Sequence, residues 1–221
     1  MKKPQQKRAI VTREKILAAL ETLLMEREFE SLSIAEIACA AGVAVGSVYS
    51  HFDDKAALLP ALIERRYDRV EQRIATLKEQ QSVEGYSLAG ELGKPPNLKA
   101  VVELILRAAH SQIMTEKGVM RAMMTYRRLN EESELPRVTA MADQAYDGLY
   151  QALEPYQDDI VGRDLRSASL MLNHFINVIF LDKVAFLRPT LPAHLNPNDE
   201  EKILAYRDML YSYLTNPPSD D

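Results

Sequence analysis

Between Ser33 and Lys55 the chain crowds together side chains suited to non-covalent contact with a polar surface. Ser33, Ser47 and Ser50 bring hydroxyls, Tyr49 a phenol, His51 an imidazole and Lys55 a cation, while Ala44, Val45 and Gly46 are small. Hydroxyl and imidazole groups both donate and accept, an ammonium only donates, and small apolar groups let a partner come close. Nothing in the run is arranged to activate a nucleophile. None of the four histidines has a glutamate three residues before it, the single cysteine excludes a cysteine pair, and no glycine loop could cradle a phosphate. The chemistry expected is therefore recognition. No catalytic residue, metal or cofactor is expected; an all-α enzyme or a helical protein-interaction adaptor stands as the alternative.

These side chains need short helices to hold them. Ser33 and Glu36 have capping-box spacing, and Leu32 with Ile37 fits a hydrophobic staple, so a helix starts at Ser33. Gly42 ends it, because the turn calls for a left-handed residue. A further helix is expected over 44–51. Ahead of them a helix over 12–27, capped by Thr12, carries the stripe Ile16, Leu17, Leu20, Leu23 and Leu24. After them a helix capped by Asp53 or Asp54 runs toward Gln80, with a kink expected at Pro60. Ile34, Ile37, Val43, Val48 and Phe52 would pack on the first stripe. Ala44, Val45, Ser47, Tyr49, Ser50 and His51 are then left to the exposed side. An α-helix of this kind fits the major groove of duplex DNA, its first residues meeting base edges.

Charge agrees only when its distribution is considered. The 221 residues carry a formal net charge of −5 and are 47% hydrophobic. Residues 1–75 hold 12 basic and 11 acidic groups, whereas 76–221 hold 15 and 21. Lys2, Lys3, Lys7, Arg8, Arg13 and Lys15 concentrate positive charge in an N-terminal arm, which is either an electrostatic contact for a polyanion or a solubilising tail. Cys39 is alone, so no intrachain disulfide forms, which fits a reducing cytoplasm. Its neighbours Ile37, Ala38 and Ala40 suggest a core residue rather than a redox sensor. No apolar run approaches the roughly 20 residues that span a bilayer, so no membrane partner is expected.

The rest of the chain reads as helix, giving an all-α class. An N-terminal three-helix helix-turn-helix domain over 1–53, with its basic arm, would join a larger helical effector-binding and dimerisation domain over 54–221, connected by the helix over 54–80. Residues 81–97 read as a loop. Helices are expected over 97–114, 119–130, 136–154, 159–187 and 199–214, the last capped by Asn198 with Glu201. Short helix-turn-helix units usually bind DNA as dimers. Leu165, Ala168, Leu172, Ile176 and Ile179 are the expected pairing stripe, meeting Leu210, Tyr211 and Leu214; the same helix could instead be core. Asn173, His174 and Asn177 interrupt it and need partners across helices or in a pocket. Met114, Met120, Met123, Met124, Tyr126, Met141, Tyr146 and Met171 could be plain core. Alternatively, Met114, Met123, Met124, Tyr126 and Met171 would line an apolar effector site anchored by His110 or His174.

Thr12-Arg-Glu-Lys-Ile-Leu-Ala-Ala-Leu, Ile37-Ala, Ala41-Gly-Val, Gly46-Ser-Val-Tyr-Ser-His-Phe and Asp54-Lys-Ala-Ala-Leu-Leu resemble the DNA-binding domain of the TetR family of bacterial transcriptional repressors. The likeness spans about residues 10–62. It implies a homodimer bound to palindromic duplex DNA, a small-molecule effector, and repression. It also implies a phosphate contact for Ser33, groove positions for Val45, Gly46 and Ser47, backbone or base contacts for Tyr49 and His51, and a phosphate contact for Lys55. Three departures matter. Ala44 stands where Ser or Thr is usual, a lost cap worth about 1 kcal/mol that would let the third helix order only on DNA. Glu28 stands where glycine is usual. No Arg or Lys lies between residues 43 and 52, so base reading would rest on Val45 or Ala44 against thymine methyls, on Ser47, and on DNA shape.

Overall fold

A computed structural model of the chain describes residues 3–80, 95–130, 136–187 and 192–217. Among these residues every regular element is helical: α1 (Lys3–Leu24), α2 (Ile34–Ala41), α3 (Val45–Tyr49), α4 (Leu58–Gln80), α5 (Leu98–Leu129), α6 (Pro136–Leu153), α7 (Leu165–Ile179), α8 (Leu181–Ala185) and α9 (Asp199–Thr215). The all-α expectation holds. Most of the loop expected at 81–97 lies outside the described residues.

The chain forms two compact units. One comprises Met1–Gln72, Glu116–Ser133 and Val184–Leu187; the other comprises Arg73–Thr115, Glu134–Lys183 and Arg188–Asp221. The first division of packing thus falls at Gln72, later than the expected boundary at residue 53. The reason is that Leu58, Leu59 and Leu62 of α4 are buried in the same core as Ile16, Leu17, Leu20 and Leu24 of α1. The second half of α5 joins that core through Val119 and Ala122.

Several boundaries move, each for a local physical reason. Helix α1 starts at Lys3 rather than near Thr12, so the first part of the basic arm is helical and Thr12 is interior rather than a cap. It ends without the expected glycine because Glu28 has ordinary extended backbone (φ −74°, ψ 145°). The orphan carbonyl of Leu24 accepts a hydrogen bond from Arg121 Nη2 at 2.5 Å, a cap delivered by α5. In α4 the Asp54 side chain accepts from the Ala57 amide at 2.8 Å, and the helix proper begins at Leu58. Pro60 is then in the first turn, where its missing N–H costs nothing, and the expected kink loses its cause.

The two helices expected over 97–114 and 119–130 are one. Asn97 caps it, accepting from the Ala100 amide at 2.9 Å. Gly118 lies within the helix because α1 passes too close for a side chain: a Cβ there would stand 2.8 Å from the carbonyl carbon of Leu24. In the second unit the helix expected over 159–187 is shorter and broken. A 3-10 turn occupies Glu154–Asp159, Gly162 adopts φ 70°, and Asp164 caps α7, accepting from the Ser167 amide at 2.8 Å. Helix α9 begins as expected, with Asn198 and Glu201 completing a capping box.

Candidate nucleic-acid interface

Helices α2 and α3 are held as the capping pattern requires. The Ser33 hydroxyl accepts from the Glu36 amide at 3.2 Å, and Glu36 Oε2 accepts from the Ser33 amide at 2.8 Å. Gly42 closes α2 with φ 64°, and its amide and that of Val43 bond back to Cys39 and Ala38 carbonyls at 3.1 and 3.0 Å. Ile37, Ala38, Val48 and Phe52 are buried against the α1 stripe. Cys39 faces outward rather than into the core.

Helix α3 forms although Ala44 supplies no side-chain cap. The complete burial of Val48 and the backbone bonds from Ser50 to Gly46 and from Phe52 to Val48, both 3.0 Å, hold the short helix in place of the cap.

The outer face of α3 carries the expected residues. Val45 is 42% and Tyr49 56% exposed, large values for such side chains. Ala44 and Gly46 are exposed, and Ser47 and His51 are half-buried. Ser50 turns its hydroxyl inward along the helix, donating to the Gly46 carbonyl at 2.8 Å. Gly46 is informative. Its φ is unremarkable, and a Cβ built there meets nothing within 4 Å. Glycine costs a helix about 1 kcal/mol relative to alanine, yet nothing among the described residues requires its small size.

The flanking groups are more committed than the sequence suggested. The Ser33 hydroxyl donates to Glu36 Oε2 at 2.7 Å, so a phosphate contact requires that proton to turn away from the carboxylate. Glu36 also accepts from Arg27 Nη1 at 2.6 Å; Arg27 first, then Ser33, hold its carboxyl at about 2, below the ordinary 4.5. Lys55 Nζ donates to the Glu30 carbonyl at 3.0 Å and lies 4.8 Å from the centre of the Phe29 ring. One cation expected only as part of the basic arm also stands just beyond α3. Arg13 of α1 sits with its guanidinium carbon 5.6 Å from the centre of the Phe52 ring, at the end of α3. The signal was present in the spacing, since Arg13 precedes Ile16 by three residues and Leu17 by four and so shares their face.

The residues expected to line an effector site divide between the units. Met123, Met124 and Tyr126 belong to the first, where Tyr126 packs against the core that contains Ile16 and Ile37. His110, Met114, Met171 and His174 belong to the second. His110 Nε2 lies 3.1 Å from Asp199 Oδ2, and its ring centre is 5.5 Å from that of Phe180. Burial acts to raise the Asp199 carboxyl, but Lys183 and His110 together hold it below its usual range. Met171 and His174 lie on the outside of α7.

The expected pairing stripe on α7 is also corrected. Ala168 and Leu172 are fully buried within the chain, Leu165, Ile176 and Ile179 are half-buried, and Leu210 and Leu214 of α9 are buried too. Leu170 and Val178, 49% and 51% exposed, form a second stripe with His174 between them. Helix α7 is apolar around more of its circumference than one core face uses. Asn177 resolves its polarity locally, donating to the Asn173 carbonyl at 2.7 Å rather than across helices.

Comparison with known proteins agrees with this geometry. Residues 16–62 match the profile of bacterial regulatory proteins, tetR family. The chain is 44% identical over 57 residues to the HTH-type transcriptional repressor BepR of Brucella suis biovar 1 (strain 1330), covering 26% of this chain and 27% of that protein. It is 29% identical over 137 residues to the HTH-type transcriptional regulator CymR of Pseudomonas putida, covering 59% and 67%. These matches thus span between about a quarter and two thirds of the curated relatives' length. Among solved structures, a gamma-butyrolactone receptor (ArpA-like protein) is 26% identical with a TM-score of 0.50, covering 90% of this chain and 85% of that one. NalD, the secondary repressor of the MexAB-OprM multidrug efflux pump in Pseudomonas aeruginosa, shares the fold with a TM-score of 0.51 at 21% identity, covering 94% and 98%.

Proposed function

We propose that this chain is a member of the tetR family of bacterial regulatory proteins, whose profile its residues 16–62 match, and that it is a ligand-responsive, sequence-specific transcriptional regulator that binds palindromic duplex DNA as a homodimer and represses until an effector releases it. The observation that carries the reading is the outer face of α3: exposed Val45 and Tyr49 flank a glycine whose smallness nothing among the described residues requires. A base edge or a sugar-phosphate backbone approaching α3 supplies that requirement. Ala44, Val45, Gly46 and Ser47 would face the groove, and Tyr49 and His51 its edge. Ser33 and Lys55 would flank them at phosphates.

Pairing is supported by the outer stripe of α7, where Leu170 and Val178 stand in solvent, together with Met209 on α9, 58% exposed. A second copy seated there would cover apolar surface that one chain leaves open. For the effector, the support lies in the second unit, where half-buried His110 lies near Phe180 and Met114, one turn further along the same helix, is also half-buried. An apolar or aromatic small molecule fits such surroundings and would act by favouring a state of lower DNA affinity. Such a regulator performs no chemistry of its own.

The test is selection by filter binding from random duplex DNA at low salt. The proposal expects enrichment of an inverted repeat with half-site centres about one helical turn, ~34 Å, apart or a multiple of it. Retention without any enriched repeat contradicts it.

A further inference from the structure

We propose that Arg13 of α1 is a phosphate-binding residue, supplying beside the last turn of α3 the cation that α3 itself lacks. The inference rests on the duplex-DNA reading and adds a contact to it. Arg13 continues the face of α1 that buries Ile16 and Leu17 against Val48 and Phe52. Where that face runs out past the core, the guanidinium lies over the Phe52 ring at 5.6 Å. Phe52 is fixed in turn, because it is buried and its amide donates to the Val48 carbonyl at 3.0 Å. The cation is therefore placed by the same residue that ends the turn after α3.

Among the described residues its charge is poorly matched. The Glu14 carboxylate comes no closer than 4.0 Å, while Glu14 accepts from Arg65 Nε at 2.8 Å and is committed there. The Arg13 side chain remains 41% exposed. A guanidinium stacked on a ring keeps its edge donors free, and those donors suit the paired oxygens of a phosphate. Phosphate is favoured over a base edge by position: Arg13 lies over Phe52, beyond the C-terminal end of α3, away from the Val45 end, and it is the N-terminal residues of a recognition helix that meet base edges.

The experiment measures affinity for the selected duplex between about 50 and 200 mM salt for the wild-type chain, Arg13→Met and Arg13→Lys, with thermal unfolding of each. Methionine keeps a stem over Phe52 and loses the charge; lysine keeps the charge. The expected result for Arg13→Met is a fall of about 0.9 per protomer in the log–log salt slope, with the selected sequence and the unfolding midpoint unchanged. Arg13→Lys should retain the wild-type slope. A wild-type slope in Arg13→Met overturns the inference. So does equal weakening in both variants that tracks a lowered midpoint, which would make Arg13 a lid on Phe52 only. A wild-type chain that retains no duplex overturns the DNA reading itself, a result distinct from either of these.

Discussion

Glu36 does two things at the start of α2. It closes the capping box with Ser33 and takes a hydrogen bond from Arg27 at 2.6 Å. Its carboxyl is held at about 2 against an ordinary 4.5. A depressed carboxyl stabilises the folded chain in full above about pH 4.5, and the contribution is lost as pH falls through about 2. Replacing Glu36 with Gln should therefore make the unfolding midpoint less dependent on pH across that window, as followed by circular dichroism. An unchanged dependence would show that Glu36 is not linked to folding. The capping box was legible because it is set by residues three apart. The Arg27 partner was not, since it comes from beyond α1, nine residues earlier. Arg13 was legible as a cation of the basic arm on the face of Ile16 and Leu17, but its contact with Phe52 lies outside any local pattern.

At the scale of elements, Gly118 decides between two opposing effects. Alanine would favour the helix by about 1 kcal/mol, which is why a glycine within 97–130 reads as a break. Here a Cβ would lie 2.8 Å from the Leu24 carbonyl carbon and 2.9 Å from its oxygen, and these are backbone atoms of a buried helix end. Overpacking of this sort costs about 1–3 kcal/mol, so Gly118→Ala should lower the unfolding midpoint despite its better helix propensity. A raised midpoint would mean that α1 and α5 do not pass this closely. Helix starts with side-chain caps were readable at Ser33, Asn97 and Asn198. The ends of α1 and the continuity of α5 were not, because Arg121 and Gly118 act on α1 from about a hundred residues away. Helix α7 failed for a different reason: both its stripes are apolar, and periodicity alone cannot say which one the chain buries for itself.

For the whole molecule, the division of the chain into two packing units and the exposed stripe of α7 bear on function together. If Leu170 and Val178 face a second copy, Leu170→Glu should yield a monomer by sedimentation, since an unpaired carboxylate in such a contact is strongly disfavoured. Its affinity for an inverted repeat should fall toward that for one half-site. A Leu170→Glu chain that remains dimeric would move the pairing surface elsewhere. The central claim, that the outer face of α3 selects DNA sequence, is tested most directly by running the duplex selection in parallel on the wild-type chain and on Val45→Ala. The account predicts an inverted repeat for the wild type, and for Val45→Ala a repeat altered at the same symmetry-related positions in both half-sites. Identical repeats from the two proteins, or none from the wild type, would contradict it.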